Sequence, residues 1–121
     1  LRYLSQGATV CGTYRTQLPE ELSNHPKFHS LQCDVALPKS RSEIAAFLEK
    51  FSLRWDVFIS CVGQLNPIGL FFENDFEEWS EAVDINSTSQ LRALHAAYPF
   101  RRSGGISHVV FFAGGGTNNP F

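Results

Sequence analysis

No apolar run in this 121-residue sequence reaches the roughly 18 residues needed to cross a bilayer, which argues against a membrane-spanning helix. Neither sign of charge is in surplus. Ten Lys and Arg against twelve Asp and Glu leave a net charge of −2, so no basic face is offered to nucleic acid or to an acidic membrane. Cysteine is scarce, with three residues and no C-x-x-C pair, and no His or Cys stands at ligand spacing from another, which argues against a zinc site. Cys11, Cys33 and Cys61 fall in or beside apolar runs, where reduced, buried thiols and a cytoplasmic compartment are expected. Methionine is absent. The chain opens on Leu1-Arg2-Tyr3, which leads into a globular pattern rather than a secretory one. The four histidines (His25, His29, His95 and His108) are dispersed and read as surface or satisfied core residues.

What is present is enough for one domain at most, with 43% hydrophobic residues and eleven phenylalanines. Ala8 to Tyr14 is a short apolar run entered through Gly7 and reads as a buried strand. Pro19 to Pro26 is polar and broken, with room for a short helix around Glu20–Ser23. Phe28 to Cys33 is expected to be a second strand ending at Asp34-Val35. Ser40-x-x-Glu43 has the form of a capping box, and Ile44, Phe47, Leu48 and Phe51 follow at helical spacing. Trp55 to Cys61 is expected as a third strand, closed by Val62-Gly63. Asp75 is a plausible N-cap for a helix to about Val83, with Glu78 at the box position. A further helix is expected from Ile85 to Tyr98, apolar on the side of Leu91, Leu94 and Tyr98 and ended by Pro99. Arg101-Arg102 reads as a solvated helix end. Ser107 to Phe112 is the fourth strand, running into Gly114-Gly115-Gly116-Thr117.

Buried strands alternating with helices imply right-handed crossovers and a parallel sheet covered on both faces. Ligands then bind beyond the carboxyl ends of the strands, which singles out Arg15, Asp34, Ser60 to Gly63, and Gly114 to Thr117. Asp56 stands at the opposite end of its strand and reads as structural.

These strand ends, taken in order, resemble the short-chain dehydrogenase/reductase family over nearly the whole chain. Asp34-Val35 resembles the family's Asp-hydrophobic pair, whose carboxylate meets the adenine amino group. Ser60-Cys61-Val62-Gly63 stands where the family carries Asn-Asn-Ala-Gly, and Asn86 in VDINSTSQL matches the helix asparagine that keeps a water in the family's proton relay. The resemblance implies an incomplete α/β fold: a Rossmann-type doubly wound parallel sheet lacking its first strand with the Gly-rich loop, and its C-terminal part. Residues 1–121 are accordingly expected to be the central segment of one larger NAD(P)-binding domain. In the family's strand order, 3-2-1-4-5, the missing strand falls between the first and third strands seen here, leaving two half-sheets across a gap.

The resemblance also implies the roles. Arg15 follows the strand that ends beside the adenosine ribose. An acidic residue there would bond the ribose hydroxyls, whereas a guanidinium suits bidentate contact with a 2′-phosphate, so NADP is expected, with NAD as second choice. The plainer reading of Arg15 is an exposed loop arginine, and that of Asp34 a turn residue. Val35, Ser60 and Gly63 join Arg15 and Asp34 as expected cofactor contacts, Gly63 by permitting close backbone approach. Asn86 is the expected catalytic residue, at a mid-helix place where asparagine is a poor choice. The family's catalytic serine position falls at Gly114, which has no hydroxyl, and Thr117 is the nearest hydroxyl that could hold a substrate carbonyl. The family's Gly-rich loop and Tyr-x-x-x-Lys pair have no counterpart in these residues.

The expected whole protein is an NADP(H)-dependent oxidoreductase acting on a small carbonyl or alcohol, assembled as a homo-oligomer. The rivals are a dinucleotide-binding sensor or scaffold without chemistry, which Gly114 would mark, and a flavodoxin-like or response-regulator domain. The last would want clustered acids at strand ends, and only Asp34 qualifies.

Overall fold

Short β-branched and aromatic runs separated by turn residues give four strands, and a computed structural model of the protein describes them within residues 1–112. Strand β1 (Val10–Tyr14) follows the short helix α1 (Arg2–Ser5), and α2 (Glu20–Ser23) leads to β2 (Phe28–Gln32). Helix α3 (Ser40–Lys50) precedes β3 (Val57–Ser60). A 3₁₀ turn (Phe71–Glu73), α4 (Phe76–Val83), a π turn (Asp84–Thr88), α5 (Ser89–Ala97) and a second 3₁₀ turn (Tyr98–Phe100) then lead to β4 (His108–Phe111). Each strand is shorter than its apolar run, because pairing stops where the backbone turns away. No helix among the described residues is long and apolar enough to cross a membrane.

All pairing is parallel. Val10 lies opposite Phe28 and Tyr14 opposite Gln32 in one sheet, while Val57 lies opposite His108 and Ser60 opposite Phe111 in the other. Among the described residues β1 and β3 do not pair, so the molecule holds two half-sheets. A cavity of about 360 Å³ lies between them, reached by Gly12 of β1 and by Phe58 and Ile59 of β3.

Cys33, Val35, Ile44, Leu48, Ala93, Ala96, Ala97 and Phe100 form one buried cluster, with Leu31 and Phe58 packed against it. Helices α3 and α5 meet there, and Arg41 Nη2 of α3 lies 3.2 Å from His95 Nδ1 of α5. Trp55 Nε1 donates to the Ala97 carbonyl at 2.7 Å, pinning the start of the third strand to the end of α5. Asp56 pairs with Arg102 at 2.7 Å on the surface, and Arg101 lies over the Tyr98 ring.

Several sequence expectations are corrected. Among the described residues the strands are not covered on both faces, and Val57 and Ile59 are exposed. Cys33 is buried, but Cys11 and Cys61 are exposed because they stand beside the open cavity rather than inside a continuous sheet. Ser40 is not a cap. It is the first helical residue, fully buried, and its hydroxyl donates to the Val35 carbonyl at 3.4 Å; Glu43 pairs instead with Lys39 at 3.2 Å. The Asp75 cap is present, its carboxylate accepting from the Glu78 N–H at 3.0 Å. The expected helix from Ile85 to Tyr98 begins inside the π turn, which joins it to α4, and is regular α-helix only from Ser89 to Ala97. Its buried side is the small one, Ser89, Gln90, Ala93, Ala96 and Ala97, while Leu91 and Tyr98 face outward. Small side chains let α5 approach its neighbours closely, which outweighs the larger apolar area of the leucine side.

Leu48 is 4% exposed at the centre of the cluster. Leu48→Ala in the full-length protein should cost about 2–5 kcal/mol, through lost burial and the cavity left behind. Leu37→Ala, at a position 44% exposed, should stay within about 1 kcal/mol. Urea midpoints measure both, and equal losses would show that the core lies elsewhere.

Candidate functional site

Parallel strands point their carboxyl ends the same way, so the residues after β1 and β2 lie side by side. The Cys33 N–H donates to the Tyr14 carbonyl at 2.9 Å and Gln32 Nε2 to the Arg15 carbonyl at 3.2 Å. Arg15 and Asp34 are thereby held at neighbouring strand ends. Arg15 is exposed and has no ion-pair partner among the described residues.

Asp34 forms a tight local turn. Its Oδ1 accepts from the Ala36 N–H at 3.0 Å, and its carbonyl accepts from the Leu37 N–H at 3.1 Å. The Val35 side chain is buried in the core cluster, so only its backbone is free to meet a ligand. Arg92 of α5 reaches this turn: its Nη1 donates to the carbonyls of Val35 and Ala36 at 3.0 and 2.9 Å. Its Nη2 lies 3.9 Å from Asp84 Oδ1 in the π turn. Burial pushes the Cys33 thiol up to about 11, with the Glu43 carboxylate adding to the shift, so Cys33 is a protonated core residue and not a nucleophile.

On the other half-sheet the chain leaves β3 through Ser60, Cys61, Val62 and Gly63. Ser60 is buried and shares the inter-sheet cavity with Val35. The walls of that cavity are strand edges and apolar helix faces, which suits packing rather than a charged nucleotide. Among the described residues nothing demands glycine at position 63. Its φ lies outside the left-handed region, and an added Cβ would stand an ordinary 3.6 Å from Asn86 Oδ1.

Asn86 sits inside the π turn rather than in a regular α-helix. Its side chain grips one residue from both sides. Oδ1 accepts from the Gln64 N–H at 2.7 Å and Nδ2 donates to the Gln64 carbonyl at 2.9 Å; this reciprocity fixes the amide orientation. The Asn86 main-chain carbonyl accepts from Gln90 Nε2, and Gln90 Oε1 is buried without a partner among the described residues. Gly114 and Thr117 lie outside the described residues.

Arg15 with Asp34, and Gly63 with Asn86, are therefore two pairs at the carboxyl edges of the two half-sheets. Sequence reasoning missed Arg92, Gln64 and Gln90. For Arg92 a signal existed, a lone arginine between Leu91 and Ala93 on a helix whose buried side is otherwise small. The Gln64 clamp left none, because its bonds are to backbone.

A family model described as "Enoyl-(Acyl carrier protein) reductase" matches residues 2–118. A short-chain dehydrogenase/reductase of Penicillium canescens is 30% identical over 108 residues, covering 88% of this chain and 42% of that protein. Another, of Talaromyces verruculosus, is 27% identical over 115 residues, covering 92% of this chain and 45% of the relative. The chain thus spans less than half the length of these relatives. Among solved structures, a short-chain dehydrogenase/reductase of Saccharomyces cerevisiae superposes with a TM-score of 0.77 at 21% identity, over 98% of this chain and 47% of that one. A short-chain dehydrogenase from Streptomyces avermitilis gives 0.75 at 24% identity, over 91% and 41%. These two likenesses show the fold, the Rossmann type with parallel strands.

Asn86→Ala should leave the Gln64 N–H and carbonyl without their side-chain partners. Amide exchange at Gln64 is expected to quicken by roughly tenfold, in line with about 1–1.5 kcal/mol for a lost hydrogen bond. Unchanged exchange would mean that the Asn86 clamp does not hold this backbone.

Proposed function

Since the chain belongs to the short-chain dehydrogenase/reductase family, whose members use NAD or NADP, we propose that the whole protein is an NADP(H)-dependent oxidoreductase acting on a small carbonyl or secondary alcohol. The observation that carries the cofactor choice is Arg15. It is exposed and unpaired among the described residues, at the end of the strand beside the one that leads to Asp34.

The residues present fit the adenosine end of such a dinucleotide. Arg15 offers a planar guanidinium to a 2′-phosphate, where bidentate contact is favoured. Asp34 Oδ1 is taken by the Ala36 N–H, and its second oxygen is left to accept from the adenine amino group. Val35 and Ser60, both buried, contribute backbone groups rather than side chains. Gly63 leaves room for close approach at a place where none of the described residues requires glycine.

When bound, the nicotinamide supplies or accepts the hydride. Asn86 holds the Gln64 backbone in place and is proposed to keep a relay water on its main-chain carbonyl. Thr117 is proposed as the hydroxyl that meets the substrate, since Gly114 at the expected serine position has none. The exposed row of Phe76, Trp79, Val83 and Leu91 supports a homo-oligomeric whole protein. A dinucleotide-binding protein without chemistry is the second reading, favoured by Gly114 alone.

Arg15→Asp in the full-length protein removes a phosphate partner and adds repulsion against the same group. The ratio of kcat/KM for NADP(H) to that for NAD(H) should fall by at least about tenfold, given about 1.5–3 kcal/mol for a charged hydrogen bond. An unchanged ratio would reduce Arg15 to a surface charge. Dinucleotide binding without turnover of any carbonyl in a broad panel would favour the second reading.

A further inference from the structure

The Val35–Ala36 peptide unit is gripped on both of its polar ends. Its carbonyl accepts from Arg92 Nη1 at 3.0 Å and, more weakly, from the Ser40 hydroxyl at 3.4 Å, and its N–H donates to Asp34 Oδ1 at 3.0 Å. Because a peptide unit is planar and trans, its C=O and N–H point in opposite directions and turn together. Fixing the carbonyl therefore fixes the direction of the N–H, and with it the carboxylate that accepts from it. The same Nη1 also donates to the Ala36 carbonyl at 2.9 Å, which belongs to the following peptide unit, so one guanidinium nitrogen holds two successive carbonyls by charge-assisted bonds.

The guanidinium itself is held in place. Its side chain is 17% exposed, and Asp84 lies on its other nitrogen at 3.9 Å. Asp84 in turn accepts from the Ser89 hydroxyl at 3.4 Å. Arg92 is separated by 57 residues in sequence from Val35, so this is a tertiary contact and not a feature of the turn.

We propose that Arg92 is a positioning residue that orients the free oxygen of Asp34 through the Val35–Ala36 peptide plane, and so sets how well the site selects an adenine base. The proposal rests on the reading of Asp34 as acceptor for the adenine amino group. A hypoxanthine base presents a carbonyl oxygen at the place of that amino group, and a correctly aimed carboxylate repels it. Selectivity for adenine over hypoxanthine is thus a direct readout of where the Asp34 oxygen points. A ratio of kcat/KM values for two dinucleotides measured on one preparation is also insensitive to how much of that preparation is folded.

The test compares the full-length protein with its Arg92→Gln, Arg92→Lys and Asp34→Ala variants. Turnover is measured with the adenine dinucleotide and with its hypoxanthine analogue, and amide exchange is measured at Ala36. In Arg92→Gln the Ala36 amide should exchange about tenfold faster, and the adenine preference should fall towards that of Asp34→Ala by a similar factor, the scale of one charged hydrogen bond. Arg92→Lys should restore part of both, since an ammonium can donate to the two carbonyls without the rigid fork. Unchanged exchange at Ala36 in Arg92→Gln would overturn the proposal whatever the base preference. Faster exchange with full retention of the adenine preference would overturn its link to selectivity. If the parent protein and Asp34→Ala show the same base preference, the adenine reading of Asp34 fails and the selectivity link fails with it, while exchange at Ala36 alone still reports whether Arg92 holds the plane.

Discussion

The helical run from Phe76 to Ala97 contains one turn that is wider than its neighbours, and the candidate site hangs from that turn. A π turn inserts a residue into the helix, so side chains on either side of it are rotated relative to a regular helix. Here Asn86, within the turn, reaches the backbone at Gln64 beyond β3. Arg92, one and a half turns later, reaches the backbone at Val35 and Ala36 beyond β2. The two half-sheets share no strand pairing among the described residues. Their carboxyl edges are nevertheless held in one frame, because a single helical run bonds to both. A ligand lying across those edges would meet groups whose relative positions are set by α5 rather than by the sheet.

Both contacts are made to main-chain atoms, and that decides what could be read from the sequence. The order of strands and helices was legible, because apolar runs, Gly and Pro breaks and the Asp75–Glu78 cap are local signals that local physics honours. The positions just after each strand were legible for the same reason, since parallel topology fixes where they lie. Contacts to backbone carry no residue signature on the accepting side. Nothing about Val35, Ala36 or Gln64 as residue types announces that an arginine or an asparagine far along the chain will hold them.

The misreadings have a common cause as well. Ser40 matched a capping pattern, but burial against the Val35 carbonyl gave its hydroxyl another partner, and a tertiary contact overrode the local one. The leucine side of α5 matched a core pattern, yet the small side is buried, because close helix approach rewards alanine. Cys11 and Cys61 sit in apolar strands and are still exposed, because the cavity between the half-sheets leaves their strand edges open. In each case the sequence correctly named the element and misjudged what lay against it.

The carbonyl of Asn86 brings the same reasoning to the chemistry. Gln90 Nε2 donates to it, which at first sight closes the place where a relay water would sit. A carbonyl oxygen has two lone pairs, so one donor does not saturate it. Gln90 Oε1, buried and unpartnered among the described residues, adds an acceptor beside that carbonyl, and a buried acceptor left without a donor is costly. The Gln90 bond therefore leaves the Asn86 carbonyl one lone pair for the proposed relay. The weight of the choice between a catalyst and a binder falls on the missing hydroxyl at Gly114.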